Sequence, residues 1–152
     1  MNLKDIIKPE NCCLLKSTTK TEVILELIDL IKEEPEISDI DNLKKEIFFR
    51  EQLMSTGIGH GIAIPHVRFE GVTHPKILIG IQTEGIQDYG TMDEKPVYFV
   101  FLFIVGKEQH KEYLRLLSLV SSKIKDEIFR KKLLSVIKED DIAALFTGSE
   151  VQ

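Results

Sequence analysis

Val97-Tyr98-Phe99-Val100-Phe101-Leu102-Phe103-Ile104-Val105 runs nine residues without a charge and consists almost entirely of branched and aromatic types. Such residues suit a pleated, buried surface, and an apolar run without alternation belongs to a strand covered on both faces. It is far too short to cross a bilayer, which takes roughly 20 residues as a helix. Gly106 ends it. Upstream, Ile77-Leu78-Ile79-Gly80-Ile81 reads as a second strand, and Ile62-Ala63-Ile64 as a short third one leading into Pro65-His66.

Outside this middle section the apolar period becomes helical. Thr19-Lys20-Thr21-Glu22 has the form of a capping box, with the Thr19 hydroxyl and the Glu22 carboxylate satisfying exposed backbone amides. Val23, Ile24, Leu27, Ile28, Leu30 and Ile31 then recur at helical spacing up to the break at Pro35. A second helix is expected after Ser38 or Asp39, burying Leu43, Ile47 and Phe48 and ending before Gly57. A third starts near Glu108 with Tyr113, Leu116, Leu117, Val120 and Ile124 on one side. Asp126 caps a fourth carrying Ile128, Phe129, Leu133, Leu134 and Ile137, and a last one over Ile142–Phe146 closes at Gly148. Helices first, strands in the middle and helices last predict an α+β domain with helices packed over a mixed sheet.

The bulk numbers agree with one domain covering residues 1–152. That length is ample for a core, and 43% hydrophobic with 30% charged residues is ordinary for a globular protein. The N-terminal Met1-Asn2-Leu3-Lys4-Asp5 lacks the layout of a signal peptide, so a cytoplasmic protein is expected. A net charge of -5 gives no electrostatic footprint for nucleic acid. Cys12 and Cys13 are adjacent, a spacing that suits neither a relaxed disulfide nor a metal site, and they read as reduced, partly buried thiols.

The chemistry concentrates in Arg50-Glu51-Gln52-Leu53-Met54-Ser55-Thr56-Gly57-Ile58-Gly59-His60-Gly61-Ile62-Ala63-Ile64-Pro65-His66. Three glycines at alternate positions let backbone amides approach a ligand, and Ser55 and Thr56 add hydroxyls. Arg50, at the end of a helix, supplies a planar cation suited to phosphate oxygens. His66 adds a nitrogen nucleophile whose ordinary pKa, about 6.5, leaves the lone pair available near neutrality. Pro65 restricts Ile64 to extended geometry and helps to aim the ring. Together these parts describe a phosphate cradle beside a nucleophile. A purely structural turn is the competing reading of composition alone.

The residues themselves go further. The segment from Arg50 to His66 resembles, without a gap, the active-site signature of the fructose/mannitol/nitrogen-regulatory class of phosphotransferase IIA domains. Lys95-Pro96-Val97, Leu114 to Val120 and Lys123 extend the likeness, whose layout covers roughly Leu3 to Phe146. The resemblance implies a three-layer α/β/α sandwich with a mixed sheet. It implies a phosphohistidine at His66, formed on Nε2, with Arg50 steadying the phosphoryl group and His60 as a hydrogen-bonding neighbour. Ser55, Thr56, Gly59 and Gly61 would support the phosphate. The implied donor is the phosphohistidine of the carrier HPr, or its nitrogen-branch paralogue. The implied acceptor is a cysteine on a IIB domain or, in the regulatory branch, a target protein. The membrane would be reached only through a IIB/IIC permease, and no cofactor or metal is implied. The Ser-Thr-Gly-Ile-Gly version and the Leu-Ser-Leu-Val helix stand closer to the nitrogen-regulatory branch.

One position departs from the pattern. Many members carry a second histidine where this chain has Tyr113, and His110 lies one helical turn earlier. Either residue is a candidate neighbour for His66, Tyr113 the stronger. The departure also motivates a second reading, a non-catalytic regulatory binding module that keeps the fold. A zinc hydrolase using His60, His66 and His74 is a third, although those spacings match no helical ligand pair. His74 reads as an idle surface residue, and Lys44, Lys45, Lys131 and Lys132 as solvated surface.

Overall fold

The computed structural model describes residues 2–148. A short helix α1 (Leu3–Ile6) and strand β1 (Cys12–Leu14) precede helices α2 (Lys20–Asp29) and α3 (Ile40–Leu53). Five strands follow: β2 (Gly57–Gly59), β3 (Ile62–Ala63), β4 (His66–Arg68), β5 (Lys76–Ile86) and β6 (Val97–Val105). Helices α4 (His110–Ile124), α5 (Glu127–Leu134) and α6 (Glu139–Thr147) complete the described chain.

The strands form one mixed sheet in the order β1-β5-β6-β3-β2, with β4 also paired to β6. Antiparallel β5 and β6 are its centre, in register Ile79↔Phe101. Strands β3 and β4 lie end to end along the other edge of β6, both parallel to it, at Ala63↔Val100 and His66↔Phe103. Between them the Pro65 carbonyl accepts the Phe103 amide at 3.0 Å, which holds the chain on the sheet where it passes from one strand to the next.

The uninterrupted apolar character of β6 now has its cause. Phe99, Phe101, Phe103 and Val105 pack on one face with α1, α4, α5 and α6, while Val100, Leu102 and Ile104 pack on the other with α2 and α3. Phe101 and Leu102 are both fully buried, each removing enough apolar surface from water to favour folding by about 1.5–3 kcal/mol. The architecture is the expected α+β three-layer sandwich.

Local signals hold in most places. Asp39 caps α3 by accepting the Asn42 amide, Asp126 caps α5 by accepting the Ile128 amide, and Gly148 ends α6 in the left-handed conformation at φ +82°. Four details differ from expectation. Thr19 does cap α2, but the Glu22 carboxylate takes the Thr19 hydroxyl rather than a backbone amide. Helix α2 stops at Asp29, well before Pro35. Ile128 and Ile137 are exposed, the latter lying beyond the end of α5. Cys12 and Cys13 are free and buried in β1 rather than partly buried, and burial raises both thiols to about 12.

Candidate functional site

His66 opens β4 and is half-buried. Its Nδ1 lies 3.3 Å from the Ile64 carbonyl oxygen. A carbonyl only accepts, so Nδ1 carries the proton and Nε2 keeps the lone pair. Tyr113, buried in the first turns of α4, stacks on the imidazole with centroids 4.9 Å apart and planes 25° from parallel. Phe103 backs Tyr113 edge-on at 5.4 Å. The ring is thus held by a hydrogen bond at one nitrogen and an aromatic plate on one face, both fixed to the sheet or the helix layer. His110, exposed at the start of α4, sits 6.3 Å from the Tyr113 ring and makes no ring contact with His66 among the described residues.

Beside His66 opens a cleft of about 830 Å³, lined by Lys45, Glu46, Phe49, Arg50 and Leu53 of α3, by Val67 and Arg68 of β4, and by Lys107. Four cations face one carboxylate there. Arg50 stands in the last turn of α3, where its guanidinium donates to the Met54 carbonyl at 2.9 Å. That bond tethers the cation at the helix end while leaving most of its donors free. The His66 pKa lies below the ordinary histidine value, chiefly through burial. The Arg50 and Arg68 charges push in the same direction, while the Ile64 carbonyl and the Glu51 charge oppose them.

The middle of the signature segment goes elsewhere. Ser55 donates to the Gly90 carbonyl at 2.6 Å. Thr56 is buried, and its hydroxyl lies 2.7 Å from the Glu51 carboxylate and 2.9 Å from the Tyr89 hydroxyl. Lys20 completes this set at 2.9 Å from Glu51 and lies over the Tyr89 ring at 4.5 Å. Burial and the Glu51 charge push the Tyr89 phenol well above its ordinary pKa. Gly57 packs so tightly against Thr91 and Gly90 that an added Cβ would fall 2.5 Å from the Thr91 methyl. Gly59, His60 and Gly61 make the β2–β3 turn at φ +93°, +56° and +78°, and the His60 amide donates to Asp93 at 3.1 Å.

The structure therefore brings His66, Arg50 and Tyr113 together and separates Ser55, Thr56, Gly59, His60 and Gly61 from them. None of these five lines the His66 cleft. The Ser55 and Thr56 hydroxyls are engaged with Gly90, Tyr89 and Glu51, the His60 amide with Asp93, and the Gly61 carbonyl with the Tyr98 and Phe99 amides. Tyr113 meets His66 through its ring face, and no hydrogen bond joins its hydroxyl to the imidazole among the described residues. His60 and His74 lie on separate turns. Among the described residues no group of three or more His, Cys, Asp or Glu side chains is placed to hold a metal. Three cleft cations escaped the sequence reading: Arg68 and Lys107, which it did not single out, and Lys45, which it read as solvated surface. Period-two alternation from His66 would have found Arg68.

An imidazole aimed by a backbone carbonyl at a cationic cleft, on the edge of a mixed-sheet sandwich, makes a site suited to an anion. The chain belongs to the family described as phosphoenolpyruvate-dependent sugar phosphotransferase system, EIIA 2, whose profile matches residues 5–148. It is 34% identical over 128 residues to the fructose-specific EIIABC component of Bacillus subtilis, covering 84% of this chain but only 20% of that protein. It is 34% identical to the fructose-specific EIIA component of Haloferax volcanii over 76% of this chain and 75% of that one. The nitrogen regulatory protein of Escherichia coli is 33% identical over 68% of this chain and 64% of its own length. In three dimensions the chain is similar to the nitrogen regulatory protein IIA-Ntr of Neisseria meningitidis, with a TM-score of 0.86 at 26% identity over 95% of this chain and 98% of that one. The fold of mannitol IIA from Escherichia coli also matches, with a TM-score of 0.74 at 19% identity, over 92% of this chain and 98% of that one.

Proposed function

We propose that this chain is a histidine phosphocarrier that takes a phosphoryl group onto His66 Nε2 from phospho-HPr or its nitrogen-branch paralogue. The supporting observation is the Nδ1 contact with the Ile64 carbonyl, which leaves Nε2 as the nucleophilic nitrogen of a ring that lines a cationic cleft. In the accepting step the Nε2 lone pair attacks phosphorus, the donor's nitrogen–phosphorus bond breaks, and its electron pair returns to the donor ring. His66 keeps its proton on Nδ1, and the charge this leaves on the ring makes it a good leaving group. In the onward step an acceptor thiolate attacks phosphorus, and the Nε2–phosphorus electron pair returns to a neutral imidazole. Arg50 offsets charge on the transferring oxygens, where positioning and electrostatics supply most of the catalysis.

The acceptor is a cysteine of a IIB domain or a regulated target protein. A mannitol IIA protein has been solved in complex with phosphorylated IIB, and exposed Phe49 and Leu53 give the cleft of this chain an apolar rim for such a docking surface. Relatives carry both transport and nitrogen-regulatory names. The nitrogen-regulatory role is preferred because the likeness to IIA-Ntr, a TM-score of 0.86 at 26% identity, exceeds that to mannitol IIA, 0.74 at 19%. Residues 1–152 act as one domain in the cytoplasm. No described helix is long and apolar enough to cross a membrane, and a IIB/IIC permease is the route to one.

Incubation with phosphoenolpyruvate, enzyme I and HPr tests this. The label should be acid-labile, alkali-stable and absent from His66→Ala. A regulatory binding module without chemistry, favoured by Tyr113 at the second-histidine position, would take no label from cognate donors. Label retained by His66→Ala would place the chemistry elsewhere.

A further inference from the structure

The cleft holds more positive charge than one arginine accounts for, and the surplus has a definite arrangement. Strand β4 pairs with β6 at His66↔Phe103, Val67↔Ile104 and Arg68↔Val105. Phe103 and Val105 belong to the layer under α4, while Val67 and Ile104 pack with α2 and α3. Side chains alternate along a strand, so His66 and Arg68 project from the same side of β4, next to one another. Arg50 stands in the opposite layer, in the last turn of α3, and faces the same cleft. The imidazole thus lies between two guanidinium-bearing elements, one from each side of the sheet edge. Both side chains line the same cleft, and both charges act on the His66 ring.

Tyr113 sharpens the point. It covers one face of the imidazole with carbon, and its edge is taken by Phe103. At position 113 helix α4 therefore stacks a phenol on the ring instead of offering an imidazole N–H to the phosphoryl oxygens. A transferring phosphoryl group carries its charge on three oxygens, and one guanidinium fork engages two of them. Arg68 is exposed and makes no ion pair among the described residues, so its fork is available.

We propose that Arg68 is the second phosphoryl-binding cation of this site, contacting the oxygens on His66 Nε2 from the α4 side while Arg50 contacts them from the α3 side. This assignment rests on the phosphocarrier reading. It makes His66 transfer depend on two guanidinium groups, and it gives the strand that carries the nucleophile a direct part in holding the group transferred.

Rates of labelling from phosphoenolpyruvate, enzyme I and HPr, measured for wild type, Arg68→Gln, Arg68→Lys and the control Lys131→Gln, test it. Arg68→Gln should transfer about tenfold more slowly, with an unchanged melting temperature. Arg68→Lys should recover part of the loss, since charge returns without the fork. Lys131→Gln should behave as wild type. In the unphosphorylated protein the His66 NMR titration midpoint should rise in Arg68→Gln with the melting temperature unchanged, whereas a midpoint raised by lost burial would come with a fall in melting temperature. The charged groups acting on that ring are Arg50, Glu51 and Arg68, and only Arg68 is altered. Wild-type rates in Arg68→Gln, with wild type labelled on His66, would overturn this assignment alone. Absence of label from wild type would overturn the phosphocarrier reading and this assignment with it.

Discussion

Arg50 and Glu51 are neighbours in one helix turn, yet they serve different parts of the molecule. Arg50 looks out over the His66 cleft, while Glu51 is 7% exposed and binds Lys20 and Thr56 inside. The same division runs through the whole segment from Arg50 to His66. Its two ends meet at the site, and its middle, Ser55 to Gly61, fastens the β2–β3 turn to the loop 89–93. A motif that reads as one active site is two devices in space. The outer residues line the cleft, and the inner ones fasten the turn that joins them.

That division can be broken from either side. Glu51→Ala should give the largest effect, because it leaves the Lys20 ammonium and the buried Thr56 and Tyr89 hydroxyls without their shared acceptor. Losses on breaking buried pairs of this kind run to about 3–5 kcal/mol, readable as a fall in the denaturation midpoint, with transfer failing only as the fold loosens. Arg50→Ala should do the reverse. Transfer should fall about hundredfold, or 2.7 kcal/mol in the barrier, while the melting temperature moves by no more than about 4 °C, since the side chain contributes one half-exposed bond to Met54. A large melting loss with transfer kept in Arg50→Ala would erase the distinction.

The smallest expected effect is electrostatic. His66 should titrate below the ordinary histidine midpoint of about 6.5 by NMR, because burial and two cations favour the neutral ring. The folded protein then binds fewer protons than the unfolded chain below that pH. The resulting stability is fully present above about 6.5 and is lost as pH falls through the folded midpoint. A midpoint above 6.5 would mean that the Ile64 carbonyl and Glu51 outweigh burial, and would sharpen the assignment of which charges reach the ring.

The sequence carried the fold best where the signal was local and redundant. Val97 to Val105 is a strand at both expected ends because every residue in it except the partly buried Tyr98 is buried on one layer or the other. Asp39, Asp126 and Gly148 mark helix ends by bonds or dihedrals within a few residues. The three-residue β1 and the four-residue α1 went unread because neither is long enough to establish a period. At the site, His66 and Arg50 were legible as chemical types in a familiar order. Ser55 and Thr56 were not, because their partners Gly90 and Tyr89 lie 35 and 33 residues away, and no local pattern encodes which hydroxyl turns inward. Arg68 was visible only through the strand alternation that the register of β4 now supplies.

The plate of Tyr113 on His66 has an optical consequence. The chain has three tyrosines and no tryptophan, so its ultraviolet emission is dominated by its phenol rings. Tyr89 and Tyr98 stand apart from the imidazole, and Tyr113 lies against it. Under the proposed function, loading the ring with a charged group should change what surrounds one tyrosine in three, so that tyrosine emission should report the occupancy of His66 without an added dye.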